Sequence, residues 1–158
     1  MASHTYNYRS PIGTLCIETE NEAVIGLDLK ECGGEEEFSE DPLIKKTIKE
    51  LDEYFQGKRK KFDIPLNPSG TAFQLSVWNA LQEIPYRETR TYGEIASIIG
   101  NEKACRAVGG ANNKNRIMIL IPCHRVIGAD GSMIGFGAGI QVKEKLLEIE
   151  KQARDLKG

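Results

Sequence analysis

At 158 residues the chain is long enough for one ordinary domain, or for two small ones sharing an interface. Its composition, 40% hydrophobic and 28% charged, is that of a water-soluble globular protein, and no apolar stretch approaches the roughly 20 residues that cross a bilayer. The net charge of −2 hides an asymmetry: residues 1–66 carry 9 Lys/Arg against 14 Asp/Glu, whereas residues 67–158 carry 12 against 9. Between positions 87 and 125 the count is 7 basic to 3 acidic, a local excess that could attract a phosphate backbone or could be an ordinary solvated surface. The opening MASHTYNYRSPIG lacks the apolar core of a signal peptide, so a cytoplasmic location and no membrane partner are expected. Four cysteines stand at 16, 32, 105 and 123 without a CxxC pair, and in a reducing compartment all four should be free thiols. The spacing of His4, Cys16 and Cys32 matches no metal motif, so no metal is expected.

In chain order, YNYRSPIGTLCIETENEAVIGLDLK offers short apolar runs broken by SPIG and ENEA, the pattern of an antiparallel meander. After the polar ECGGEEEFSE loop, Leu43, Ile44, Ile48, Leu51, Tyr54 and Phe55 recur at helical spacing, with Asp41 as cap, Pro42 in the first turn and Gly57 as terminator. Pro65, Pro68 and Gly70 mark a linker at about 65–70. From Thr71, Phe73, Val77, Trp78, Leu81 and Ile84 line one helical face. A second helix starts at Thr91, where Glu94 completes a capping box, and ends at Gly100; a third begins after Asn101 and carries Arg106. These two short helices resemble a helix-turn-helix. The apolar, β-branched RIMILIP reads as a buried strand, and residues 140–157 as a closing amphipathic helix with Ile140, Leu146, Leu147 and Ile149 inward. The fold class is thus α+β: an N-terminal strand-rich α/β domain (1–66) and a C-terminal, mostly helical domain (71–158) with a winged-helix-like helix-turn-helix.

The chemistry concentrates in ILIPCHRVIG, residues 119–128, where a thiol, one of the chain's two histidines and a guanidinium follow a proline. A thiol attacks as thiolate, and a neighbouring histidine held by a carboxylate can take its proton. Asp130, Glu144, Glu148 and Glu150 are all candidates for that carboxylate. Cys123 could equally be a buried thiol beside two solvated side chains, and AVGGA, at 107–111, could serve close helix packing.

PCHRV at 122–126, with TYGEIA, RAVGGA and KEKLLEIE in order and spacing, resembles the O6-alkylguanine-DNA alkyltransferase family over about Phe73 to Glu150. The resemblance implies DNA repair by direct, irreversible transfer of the alkyl group of O6-alkylguanine, and of O4-alkylthymine, from a flipped-out base to a cysteine, once per molecule and without a cofactor. Carried over residue by residue, Cys123 is the acceptor, His124 takes its proton through a water, and Glu150 orients the histidine. Tyr92 assists the departing guanine, Asn115 ties the turn after the recognition helix to the active-site loop, and the carbonyls of Cys123 and Val126 receive the exocyclic amine. Arg106 enters the base stack, while Ala107, Gly109, Gly110 and Ala111 let the helix approach the minor groove of double-stranded DNA, the implied partner of a monomer. The substrate loop departs from the family pattern: GFGAG at 135–139 keeps a ring at Phe136 but places a side-chain-free Gly137 beside it. Arg125 reads as a structural anchor, Cys16 as a core residue and Cys105 as a small packing residue. A lesion-binding relative that lacks the acceptor cysteine is disfavoured by the presence of Cys123, and a cysteine hydrolase by the adjacency of Cys and His.

Overall fold

The computed structural model describes residues 3–33, 40–132 and 138–153. Three strands form an antiparallel meander, β1 (Ser3–Ser10), β2 (Gly13–Glu20) and β3 (Ala23–Leu29), in that spatial order. The β2–β3 connection is a two-residue turn in which Asn21 and Glu22 both have positive φ, 52° and 65°, the twist that suits a tight hairpin. Helix α1 (Pro42–Phe55) packs on the sheet with Asp41 as its cap, accepting from the Leu43 amide at 3.1 Å, and its Tyr54 is fully buried. The chain leaves α1 through Gly57 at φ 73°, a position where an added Cβ would stand 3.2 Å from the Ala153 side chain. That glycine lets the end of α1 touch the end of the last helix.

Two isolated bridges join the sheet to segments later in the chain. Val24 pairs with Leu66, and Leu27 pairs with Ile117 through hydrogen bonds of 2.7 Å from its amide to the Arg116 carbonyl and 3.0 Å from the Met118 amide to its own carbonyl. The free edge of β3 is therefore occupied by the segment that leads to Cys123.

The second half holds α2 (Ala72–Gln82), α3 (Tyr92–Ile98), α4 (Cys105–Asn113) and α5 (Ile140–Gln152). Capping boxes at Thr71/Gln74 and Thr91/Glu94 start α2 and α3, and Gly100 at φ 80° stands between α3 and α4. The indole of Trp78 donates to the Ala111 carbonyl at 2.9 Å and holds α4 against α2. A two-residue parallel pairing joins β4 (Arg90–Thr91) to β5 (Val126–Ile127).

Four expectations need correction. The run 117–121 is not a strand but a buried turn, with the Ile121 amide bonded to the Ile117 carbonyl at 3.0 Å. Its apolarity reflects burial in the seam between the two halves, which residue type alone does not separate from a strand. Helix α4 begins at Cys105 rather than just after Asn101, because a turn with the Ala104 amide on the Asn101 carbonyl precedes it. Ile140 is exposed at 44%, since α5 turns Lys143 and Glu150 inward along with the expected Leu146. Finally, Cys16 and Cys32 form a disulfide. The register sets Asn7 opposite Cys16, and the Asn7 side chain accepts from the Cys32 amide at 2.7 Å, so the chain leaving β3 folds back over the strand that carries Cys16.

Candidate active site

Residues Cys123–Arg125 form one turn of 3-10 helix after Pro122, and all three are buried. The turn is shaped by Asn115, whose amide donates to the carbonyls of Ile121 at 2.9 Å and Ile117 at 3.4 Å while its oxygen accepts from the Ile117 amide at 3.0 Å. Inside this loop Ile119 has φ 72°, a region a β-branched residue enters only when its surroundings over-determine it. A second asparagine, Asn112 at the end of α4, donates to the Cys123 carbonyl at 3.3 Å.

Cys123 lines a cavity of about 320 Å³ together with Asn112, Asn115 and Met118 and, from the first half, Asp28 and Leu29. Burial pushes its pKa up to about 11, opposed by the hydrogen bond with Asn115 and the charge of Lys143. At neutral pH it is therefore a thiol, and a base is required before it can attack.

An imidazole is adjacent. His124 is fully buried, and its Nε2 lies 2.5 Å from Glu150 Oε2. Burial lowers the imidazole pKa, the Glu150 bond and charge acting against that, with Arg125 and Lys143 adding to it. Arg125 is the permanent cation of the group: its Nε donates to Glu150 Oε1 at 2.9 Å, its Nη2 to Oε2 at 3.1 Å and its Nη1 to the Ile84 carbonyl at 2.9 Å. Burial resists ionisation of Glu150, but the bonds and charges of His124 and Arg125 outweigh it and hold the carboxyl down at about 2. The resting state is an Arg125–Glu150 ion pair beside a neutral imidazole. With Nε2–H pointing at the carboxylate, Nδ1 carries the lone pair, and it has no hydrogen-bond partner among the described residues.

Lys143 and Tyr92 complete the centre. The Lys143 ammonium is fully buried, donates to the Val126 carbonyl and stands 5.9 Å from the centroid of the Tyr92 ring. Tyr92 opens α3 and is half-buried, with its phenol pKa raised by burial and by the nearby sulfurs of Cys123 and Cys105. The Val126 carbonyl already receives Lys143, so a substrate amine would share it through the second lone pair.

Cys123, His124, Glu150, Tyr92, Asn115 and Val126 thus converge on one centre. Of the other acids nominated from sequence, Asp130, Glu144 and Glu148 are all exposed. Arg106, Ala107 and Gly110 lie on the exposed face of α4; Gly109 is half-buried, and a Cβ there would meet the Tyr92 ring at 3.8 Å. Ala111 belongs to the core, not to that face: it is 4% exposed and its carbonyl is bonded to Trp78. Cys105 is exposed, which removes its reading as a packing residue. Phe136 and Gly137 lie outside the described residues.

Sequence reasoning missed Lys143, Asn112 and Tyr54, and left Arg125 as an anchor without a partner. A signal existed for Lys143, which with Leu146 and Glu150 forms one buried stripe of α5. Two opposite charges on the inward face of a helix call for a buried partner each. The nearest sequence signal for Tyr54 is its place on the apolar stripe of α1.

Comparison with known proteins bears on both halves. Residues 72–152 match the family model described as "6-O-methylguanine DNA methyltransferase, DNA binding domain", and residues 4–68 match "6-O-methylguanine DNA methyltransferase, ribonuclease-like domain". A methylated-DNA–protein-cysteine methyltransferase of Methanosarcina acetivorans is 47% identical over 148 residues, covering 90% of this chain and 95% of that one. The constitutive counterpart of Bacillus subtilis is 42% identical over 151 residues, covering 90% and 92%. In structure, the Mycobacterium tuberculosis O6-methylguanine methyltransferase superposes with a TM-score of 0.87 at 41% identity, over 98% of this chain and 96% of that one. The M. tuberculosis protein solved in complex with DNA gives 0.85 at 44%, over 95% and 94%.

Proposed function

The chain belongs to the 6-O-methylguanine DNA methyltransferase family, and from that premise we propose that Cys123 takes the alkyl group of an O6-alkylguanine flipped out of duplex DNA. The activity is DNA repair by direct, irreversible alkyl transfer to a cysteine. The observation that carries the residue assignment is a buried thiol beside a neutral histidine locked by a carboxylate–guanidinium pair, behind a helix that exposes Arg106.

In this reading the Cys123 proton passes through a water to Nδ1 of His124, and Glu150 balances the imidazolium that results. The sulfur attacks the alkyl carbon in line, the S–C bond forms, and the C–O6 bond breaks. The guanine leaves with its charge spread over the ring, and Tyr92, whose phenol stays protonated, donates to it. Lys143 favours the thiolate electrostatically. A thioether is a poor leaving group, so Cys123 is consumed and each molecule acts once. Arg106 fills the space of the extruded base, where a planar guanidinium replaces lost stacking, and Ala107 and Gly110 allow α4 into the minor groove. Gly109 leaves room beside Tyr92. The loop bearing Phe136 and Gly137 would cover the substrate, and the same reading includes action on O4-alkylthymine. The chain acts as a cytoplasmic monomer divided near residues 65–70; no described helix is long and apolar enough to cross a membrane.

Intact-protein mass spectrometry after mixing with O6-methylguanine DNA tests this. The expected result is a stoichiometric gain of one methylene on the Cys123 peptide, and Cys123→Ser should bind DNA but gain nothing. A Cys123→Ser protein that still demethylates would remove Cys123 from the reaction.

A further inference from the structure

The carboxylate at the heart of the relay is held from the first half of the chain as well as from the second. Tyr54 of α1 is 0% exposed, and its hydroxyl donates to Glu150 Oε2 at 2.6 Å across a separation of 96 residues. Oε2 is the same atom that His124 Nε2 contacts at 2.5 Å and Arg125 Nη2 contacts at 3.1 Å. Oε1 takes Arg125 Nε at 2.9 Å and the Arg87 amide at 3.2 Å. Both carboxylate oxygens are therefore saturated, and among the described residues the only neutral side-chain hydroxyl bonded to them is that of Tyr54.

The phenol is fixed by its neighbours rather than by its own helix. Its ring meets Phe55 edge-on at 5.2 Å, Phe62 at 5.6 Å and Tyr86 edge-on at 6.3 Å, and Tyr86 in turn lies under the Arg125 guanidinium at 5.6 Å. The close approach of Gly57 to Ala153 clamps the end of α1 to the end of α5, so the two elements that carry Tyr54 and Glu150 meet as a unit. Burial and the Glu150 charge push the phenol well above its usual pKa, so Tyr54 is a donor at every working pH.

Resting on the transfer reading above, we infer that Tyr54 is a positioning residue of the proton relay: its hydroxyl shares Glu150 Oε2 with His124 and thereby sets the basicity of the imidazole. A donor on Oε2 draws off part of the charge that would otherwise stabilise the imidazolium, and it keeps the carboxylate in the plane His124 requires. The charged and titratable groups around His124 are Glu150 and Lys143 from α5, Arg125 from its own turn, and, one contact further, Tyr54 from α1 with Tyr86 and Arg87 from the turn after α2. Of these, Tyr54 is the one that donates to Glu150 through a neutral side-chain hydroxyl, which can be removed without changing a charge.

The test is Tyr54→Phe in the full chain, which keeps the ring and removes only the hydroxyl. His124 is titrated by nitrogen-detected NMR without any alkyl donor, and the rate of Cys123 alkylation by free O6-benzylguanine is followed against pH. The His124 midpoint and the acid limb of the rate profile should both move up by about half a pH unit, which is about threefold in rate on the acid side. Ile44→Val, which loosens the buried face of α1 outside the aromatic cluster around Tyr54, should leave both unmoved. A Tyr54→Phe protein with lowered melting temperature but an unshifted midpoint would overturn the inference and leave Tyr54 a packing residue. Should Tyr54→Phe fail to fold, the unaltered protein still decides. The Tyr54 hydroxyl proton, shielded by burial, should shift with the His124 midpoint, and a resonance indifferent to that titration overturns the inference equally. A cysteine inert to O6-benzylguanine would count against the transfer reading alone, because the imidazole titration needs no alkylation.

Discussion

Helices α4 and α5 serve one site in opposite ways. Helix α4 turns Cys105, Arg106, Ala107 and Gly110 to the outside and buries Val108, Ala111 and Asn112. Helix α5 turns Lys143 and Glu150 to the inside, where both are at most 1% exposed. Contacts made from α4 cost the fold little when they change, because water replaces whatever is removed. The charges of α5 have no such substitute: each is a partner in the core, so altering the chemistry also alters stability. The contrast can be broken or sharpened by substitutions on the two faces.

The largest effect is expected at Glu150. Glu150→Ala leaves the Arg125 guanidinium buried with one carbonyl, at 2.9 Å, as its remaining described hydrogen-bond acceptor, and deprives Tyr54 and the Arg87 amide of theirs. Breaking a buried pair in this way costs about 3–5 kcal/mol, so urea unfolding at pH 7 should show a loss of that size. A loss below about 1 kcal/mol would mean that water reaches Arg125 and that α5 is no different from α4.

Acid should reach the same group without mutation. The folded carboxyl titrates at about 2 against an ordinary 4.5, so its stabilisation is complete above the unfolded value and disappears as pH falls from about 5 towards 2. His124 acts in the same direction: its folded pKa is lowered, so the unfolded chain takes up the proton first as pH drops through about 6.5. The carboxyl contribution is at most on the order of 3 kcal/mol, since part of it needs a protonated His124, and Glu150→Gln should flatten the acid limb of a stability–pH curve. A limb equally steep in Glu150→Gln would place the acid sensitivity in other groups.

The same contrast separates the features legible in the sequence from those that were not. The caps of α1 and α3 were legible because each is a contact between residues at most three apart: Asp41 with Leu43, Thr91 with Glu94. The face of α4 was legible only in part: Arg106, Ala107 and Gly110 are exposed as expected, whereas Ala111 is core and Cys105 is exposed. Cys123, His124 and Glu150 were legible through their place in a known motif series. The turn at 117–121 was not, because its shape comes from the side chain of Asn115 and from pairing with Leu27 across the seam. Neither was the Cys16–Cys32 disulfide, whose two ends meet only once β2 and β3 are in register. Tyr54 is the extreme case, a phenol on an ordinary apolar stripe whose partner lies 96 residues away.

On α4 the effects should appear in repair and not in stability. Arg106 is exposed, so Arg106→Ala should alter unfolding by no more than about 0.5 kcal/mol. Repair of O6-methylguanine in duplex should nonetheless slow far more than reaction with the free base, since only the duplex must be held open. Equal losses on both substrates would move Arg106 from the DNA face into the chemistry.

The smallest change asked of the protein is one methyl group at Gly110. A Cβ there meets nothing within 4 Å, so no described neighbour requires a glycine at this helical position. Alanine in its place should stabilise the fold by about 0.5–1 kcal/mol through helix propensity alone, seen as a raised melting temperature. If α4 lies against a duplex, the same methyl occupies the gap between helix and groove. Gly110→Ala should then be more stable, equally fast with free O6-benzylguanine, and slower on duplex DNA. Unchanged duplex repair would show that the helix stops short of close contact at this turn, and that Gly110 is there for neither the fold nor the partner.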